Sequence, residues 1–292
     1  MTQQRLDIEH ARAVAIDAVE AAGDLLRSRL LGAFDVQRKD AAGDLVTDLD
    51  FASENLIIGR LRAEFPGHRI VAEESGELPG DHRWSWIVDP LDGTNNVAIG
   101  LADYCVGVAL AEYGRPVLGV IHEPASAATW WAQEGVGAYG PAGRLPRPRT
   151  GLPGTLPTLA WVQGHPVGRE DVRATALKLS LERSAKRLLQ LWAPLLGWVM
   201  LARGDIDGVI GYEAGAVDLY AGALLAKEAG VTLRELDGGP FDDHVGTMDR
   251  TRSFIAARTE VLGRLVRVVD DGTALQEHVG RILRYGAGRK LV

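Results

Sequence analysis

The chain has 292 residues, 46% of them hydrophobic and 24% charged, a balance that excludes extended disorder and supports a substantial buried core. A net charge of -7 and a pI near 5.6 exclude a broad basic surface for nucleic acid or anionic membrane, so a phosphate ligand needs a local device such as a metal ion. One cysteine, Cys105, excludes an internal disulfide, and no apolar run approaches the roughly 20 residues of a membrane span. MTQQRLDIEHARAV lacks the pattern of a secretory signal, so a cytoplasmic protein is expected.

In chain order, Val14, Ala18, Ala21 and Leu25 recur at spacings of four and three and predict an amphipathic helix over 5–31, with Gly32 as its stop. After the polar stretch QRKDAAGD, the spacing of Ile57, Leu61 and Phe65 predicts a helix over 51–65, closed by Pro66 and Gly67. Thr47, Asp48 and Asp50 therefore stand at a helix entrance. HRIVAEES, WSWIV, DYCVGVALAEY, RPVLGVIHEP and ATWWAQEG read as short strands of one sheet, with EYGRP as a hairpin turn about Gly114. Cys105, inside CVGVAL, reads as a buried structural thiol. Residues 141–157, rich in Pro, Gly and Arg, mark a boundary between halves 1–140 and 141–292, and their arginines read as an exposed loop. Beyond them come a helix over 169–189, a helix over 192–203, the strand DGVIGY, a helix over 218–229 and the strand VTLREL, the alternation of an α/β arrangement. Asp218 reads as the cap of its helix, and Gly230 stands just past its end. His122, His165 and His244 read as loop or surface residues.

Carboxylates gather where these elements begin and end: Glu73 and Glu74 in VAEESGE, Asp89 and Asp92 in VDPLDGT, Asp218 in GAVDLY. Turn and cap chemistry accounts for any one of them. Together they suit a hard divalent cation such as magnesium, which takes oxygen ligands and acts beside a substrate phosphate. An EF-hand loop starting at Asp48 fails, because Ser53 and Gly59 stand where Gly and Glu are required. The Asp48-x-Asp50 spacing also matches phosphatases of the haloacid dehalogenase type, which use a nucleophilic Asp at the end of a buried strand. The preceding DLVT is weakly apolar, and that reading stays as an alternative.

Four motifs in order, DLVTDLD (44–50), AEES (72–75), WIVDPLDGTNN (86–96) and VDLYAGALLAKEAG (217–230), resemble the inositol monophosphatase family of magnesium-dependent, lithium-sensitive phosphatases. The resemblance implies an α/β fold, a five-layer α/β/α/β/α sandwich, with the active site where the two halves meet. It implies Glu73, Asp89, Asp92 and Asp218 as metal ligands with the carbonyl of Leu91, Thr94 paired with Asp50 to orient the attacking water, and Glu74 supporting the metal shell. Gly93, Thr94 and Asn95 would meet the phosphate through a helix N-terminus, where a side chain at position 93 would crowd it. Two or three Mg2+ ions are implied, with Mn2+ as a substitute and Li+ and Ca2+ as inhibitors. A homodimer acting on a small phosphorylated metabolite is expected, with neither nucleic acid nor membrane as partner. The residue types suit the chemistry, since metal ions lower the pKa of bound water and clamp the attacking and leaving oxygens.

On the substrate side the chain departs from the family pattern. Trp192, Ala193 and Pro194 replace a Gly-Ser/Thr-Ala stretch, Val217 replaces a Trp, and Gly211 falls where an acid often meets an inositol hydroxyl, with Glu213 nearby. These changes argue against myo-inositol monophosphate as substrate. Trp192 and Trp198 either line a pocket for a flat leaving group or pack in the core of LLQLWAPLLGWVML, and the apolar surroundings favour the core. The expected activity is a magnesium-dependent phosphomonoesterase. A non-catalytic relative that binds a phosphorylated ligand is the second class.

Overall fold

The computed structural model describes residues 6–30, 32, 34–39, 45–146, 155–246 and 250–287. The first half runs α1 (Ile8–Arg29), β1 (Val36–Arg38), β2 (Leu45–Thr47), α2 (Asp48–Glu64), β3 (His68–Ala72), β4 (Gly76–Leu78), β5 (Asp81–Asp92) and the short α3 (Thr94–Ala98). β6 (Cys105–Glu112), β7 (Arg115–Glu123), β8 (Ala128–Gln133), β9 (Gly137–Gly140) and β10 (Gly143–Arg144) complete it. The second half runs β11 (Thr158–Gln163), α4 (Val172–Ser184), β12 (Arg187–Leu189), α5 (Pro194–Arg203) and β13 (Gly208–Ala214). It ends with α6 (Val217–Glu228), β14 (Thr232–Glu235), β15 (Arg252–Ala257) and α7 (Thr259–Ala287).

Period-2 alternation along β6 shows how the layers arise. Val106, Val108 and Leu110 join the core under α1 and α2, whereas Cys105, Ala109 and Ala111 join a second core with α5 and α6. Both faces are covered, so the strand reads as an unbroken apolar run. The face toward α5 and α6 is made of small residues, and the helices come correspondingly close. A Cβ at Gly119 would stand 2.8 Å from the carbonyl oxygen of Ala221, and one at Gly107 would strike Leu195. An eight-stranded sheet, in the order β10-β9-β8-β7-β6-β5-β3-β4, is antiparallel except where β3 runs parallel to β5. A five-stranded sheet, β12-β11-β13-β15-β14, lies beyond α5 and α6, and its far face packs Leu159, Ile210 and Ile255 against Leu177 of α4 and Leu265 and Val269 of α7. The layers are therefore α1/α2, the large sheet, α5/α6, the small sheet and α4/α7, the expected five-layer sandwich.

Several local readings change. The buried stripe of α1 is Ala11, Ala15, Ala18, Val19, Ala22, Gly23 and Leu26, so of the expected series Ala18 lies within it while Val14 and Leu25 pack at its edge. Alanines let the helix approach β7 closely, and a Cβ at Gly23 would stand 2.3 Å from the His122 ring. His122 is accordingly buried in β7, not a surface residue, and hydrogen-bonds Thr129 Oγ1 at 3.0 Å. Helix 169–189 stops at Ser184, because Arg187–Leu189 pair with β11. β11, β15 and α7 were not among the elements read from the sequence, although Val261, Leu262, Leu265, Val268 and Val269 recur at helical spacing and form the packed face of α7. The hairpin at Gly114 forms with φ of 47° at Tyr113 and 77° at Gly114, the left-handed pair that a two-residue turn requires. Part of the 141–157 boundary lies outside the described residues.

Trp198 joins the layers across the middle. It is 1% exposed, stacks on Phe254 of β15 at 5.1 Å, and faces Gly222 of α6, where a Cβ would lie 2.2 Å from its ring. Trp198→Ala is expected to cost about 3–5 kcal/mol, the usual range for emptying a large aromatic site. Urea unfolding checks it, with the midpoint moving and the slope unchanged.

Candidate active site

The entrance of α2 is built around Asp50. Thr47 caps the helix, and Asp50 returns the favour as a capping box: its Oδ2 accepts from Thr47 N at 2.7 Å and from Thr47 Oγ1 at 2.6 Å. Its other oxygen, Oδ1, accepts from Thr94 Oγ1 at 2.8 Å, joining α2 to the start of α3. Burial pushes the Asp50 carboxyl up, and the bonds from Thr47 and Thr94 oppose that shift. Ser53 Oγ donates to Pro90 O at 2.6 Å and fastens α2 to the end of β5.

The end of β5 explains how two acids three residues apart share a site. On a regular strand Asp89 and Asp92 would face opposite sides of the sheet. Here Asp89 pairs with Gly107 and Asp92 with Cys105, so three steps on β5 oppose two on β6, and this bulge re-aims the second acid. Both are buried, at 3% and 5% exposure. Asp89 Oδ1 is buried with no hydrogen-bond partner. Asp92 Oδ2 accepts from Leu195 N at 2.7 Å, and the Leu196 backbone N–H also faces the carboxylate and favours its charged form. Those donors open α5, where Ala193 offers no side-chain cap and Pro194 occupies the first turn, so Asp92 of the first half caps a helix of the second.

Glu73 follows β3, its N–H donating to Val88 O at 3.2 Å, and Asp218 sits in the first turn of α6. Asp218 is not the cap of that helix; Ala216 holds the cap position. The acids act on one another. Burial, then Asp92, Glu73, Asp218 and Asp50, raise Asp89 well above the carboxylate range; burial, Asp218 and Glu73 raise Asp92. Glu73, with 31% of its side chain exposed, is pushed up to about 8, chiefly by burial and against the pull of Lys39. Among the described residues no three of these groups close into a compact ligand cluster. An orphaned buried carboxylate oxygen amid three more acids nonetheless fits a hard cation, and the donors are all oxygen.

Other residues complete the arrangement without having stood out in the sequence. Lys39 donates to Glu73 Oε1 at 3.1 Å and Glu74 Oε1 at 2.6 Å, and the two carboxylates raise its pKa despite burial. It lies in the polar stretch QRKDAAGD, where nothing local distinguishes it from a solvated charge. Glu54 of α2 accepts from Glu74 N at 2.7 Å and Ser75 N at 2.9 Å and so shapes the AEES turn; its place on the helix face beside Asp50 was the available signal. Asn95 is half-buried, whereas Asn96 is buried and donates to Asp103 O at 2.7 Å and Leu191 O at 2.6 Å. Gly93 is required by its own backbone, with φ 104° and a Cβ position 2.8 Å from Asp103 O, before any phosphate is considered. Glu213, at φ 49°, gives its carboxylate to Thr251 Oγ1 at 2.5 Å and Ser253 Oγ at 3.3 Å on the β15 side. Asp48 follows the three-residue edge strand β2 directly and opens α2, but its carboxylate is half exposed and engaged by Asp35 N and Arg29, unlike the nucleophile at the end of a buried strand that the alternative requires. The tryptophans divide: Trp198 is core, but Trp192 is 65% exposed, against the core reading for both.

A layered α/β sandwich with the buried acids of β5 beside a Thr-Asp pair is the scaffold of a phosphatase. The profile of the inositol monophosphatase family matches residues 7–271, and the chain belongs to that family and with it to the phosphoric monoester hydrolases. It is 31% identical over 251 residues to inositol monophosphatase 1 of Solanum lycopersicum, covering 80% of this chain and 88% of that protein. It is 32% identical over 231 residues to the Nus factor SuhB of Pasteurella multocida, covering 77% and 85%. The structure of the Thermotoga maritima IMPase superposes with a TM-score of 0.78 at 25% identity, covering 93% of this chain and all of that one. No helix among the described residues is long and apolar enough to cross a membrane.

Two outcomes follow from this geometry. Asp92→Asn, which keeps an acceptor for Leu195 N, is expected to stay within about 1 kcal/mol of the wild type, while Asp92→Ala loses the cap and costs roughly 1–2 kcal/mol more in denaturant titration. Glu73, pushed up to about 8 in the folded state, contributes stability that is full below about pH 4 and is lost as pH rises toward about 8, and the raised carboxyls of Asp89 and Asp92 act in the same direction. Metal-free protein should therefore melt lower at about pH 8 than at about pH 5, and Asp89→Asn should flatten that slope, as scanning calorimetry would read.

Proposed function

We propose that the chain hydrolyses the phosphate ester of a small metabolite, with Mg2+ held by Glu73, Asp89, Asp92, Asp218 and the carbonyl of Leu91. The observation that carries this reading is Asp89 Oδ1, buried without a proton donor among three other acids. The bound metal would lower the pKa of a water and neutralise the ester's oxygens. Asp50 and Thr94 would aim that water. Thr94 Oγ1 lies 2.8 Å from Asp50 Oδ1 and 3.0 Å from Leu91 O, and its single proton goes to the charged acceptor. Its lone pairs are then left to accept a proton from water, and the Leu91 carbonyl keeps its own for a cation. Gly93, Thr94 and Asn95 would face the phosphate, with Glu74 and Lys39 beside the shell. Trp192, Ala193 and Pro194 would flank the leaving group, and Glu213, committed to Thr251 and Ser253, would not recognise an inositol hydroxyl. A homodimer in the cytoplasm completes the reading.

Phosphate release from a metabolite panel, with Mg2+, Mn2+, Ca2+ or Li+ present, tests it. Thr94→Val should lower kcat by about 10²-fold or more while Thr94→Ser retains most of it, and Asp89→Asn should abolish Mg2+-dependent turnover. Full activity in Asp218→Asn would sink the metal-ligand assignment, and no release from any compound would favour a binding protein.

A further inference from the structure

We infer that Trp192 is a stacking platform for the leaving group, and that the substrate is a phosphate ester whose alcohol carries a flat heteroaromatic ring of the nucleoside kind. This rests on the phosphatase reading above and deepens it. Three observations place the indole. Its backbone is left-handed, φ 54°, in a residue that is not glycine, and this turns the side chain out of the apolar run LLQLWAPLL. It is 65% exposed, and among the described residues no ring stacks on it, whereas Trp161 stacks on Tyr212 and Trp198 on Phe254.

Its neighbours on both sides are tied to the DGTNN loop. Leu191 O accepts from Asn96 Nδ2 at 2.6 Å, and Leu195 N donates to Asp92 Oδ2 at 2.7 Å. Between them, the Ala193 Cβ lies 3.3 Å from where a Cβ of Gly93 would stand. The backbone that carries the indole is thus held beside Gly93 and the loop that would meet a phosphate. A leaving group attached to that phosphate reaches this segment, and what it finds there is a large π-face in water. An isolated exposed indole at a polar site contributes little to folding, but it binds planar rings well, since stacking on an aromatic side chain contributes tenfold or more in affinity per ring. A cyclitol, bristling with hydroxyls, gains much less from that face.

The test compares two alkyl phosphates of similar intrinsic reactivity, adenosine 5′-monophosphate and glycerol 3-phosphate, with Mg2+ present. The wild type should favour the nucleotide in kcat/KM, and Trp192→Ala should shrink that preference by about tenfold or more, mainly through KM, while Trp192→Phe keeps most of it. Without metal, adenosine should quench the tryptophan fluorescence of the wild type and fail to quench Trp192→Ala. An unchanged nucleotide-to-glycerol ratio in Trp192→Ala overturns the inference, as does an equal loss on both substrates. An unchanged ratio with a smaller species in sedimentation would overturn it by assigning the indole to a contact between copies. If neither ester is cleaved although adenosine still quenches through Trp192, the phosphatase reading fails and the ring site stands.

Discussion

Mutual repulsion among buried carboxylates is the constraint around which the molecule is arranged. Asp89, Asp92, Glu73 and Asp218 come from three separate stretches of chain, and each raises the pKa of others. Left to folding alone such a cluster is unfavourable, because Asp89 and Asp92 are short of water and each acid stands near another negative charge. The surrounding layers hold it in place regardless: apolar cores on both faces of the large sheet, the Ser53 bond to Pro90 and the Thr47-Asp50 capping box are all independent of the acids' charge. Stability invested in the sandwich keeps a site that is poised for a cation. Lys39 answers only the outer pair, Glu73 and Glu74, and the Asp89 oxygen goes without.

One of those acids also ties the halves together. Asp92 stands at the start of the DGTNN loop, yet its carboxylate supplies the N-terminal cap of α5, a helix that begins with Ala193 and Pro194 and cannot cap itself. A residue of the acid cluster therefore sets the position of the 191–195 segment. Asn96 repeats the link a turn later through Leu191 O. The acid cluster and the 191–195 segment are joined by hydrogen bonds, so changes in that segment reach the acids directly.

That coupling gives the unusual substrate side its meaning. The named relatives include an inositol monophosphatase and a Nus factor, so the shared scaffold leaves the ligand open. This chain carries a left-handed, exposed tryptophan and a glutamate tied to the Thr251 and Ser253 hydroxyls, while Thr94 of the DGTNN loop bonds Asp50.

The motifs were legible in the linear chain because they are local: Thr47 and Asp50 sit three apart at a helix entrance, and VDPLDGT crowds its acids, glycine and threonine into seven positions. The central strands were legible too, since a strand covered on both faces must be apolar throughout. By itself the sequence determined the acids, the turn chemistry and the family they signal. Only the tertiary structure decided which side chains meet. Lys39 looks like any solvated lysine until β1 brings it over Glu73, and Asp92 becomes a cap only when α5 arrives from a hundred residues away. Trp192 and Trp198 are six residues apart in one apolar run, yet one is exposed and the other core, because burial depends on where the backbone turns and what packs against it, and neither is written in the residues nearby.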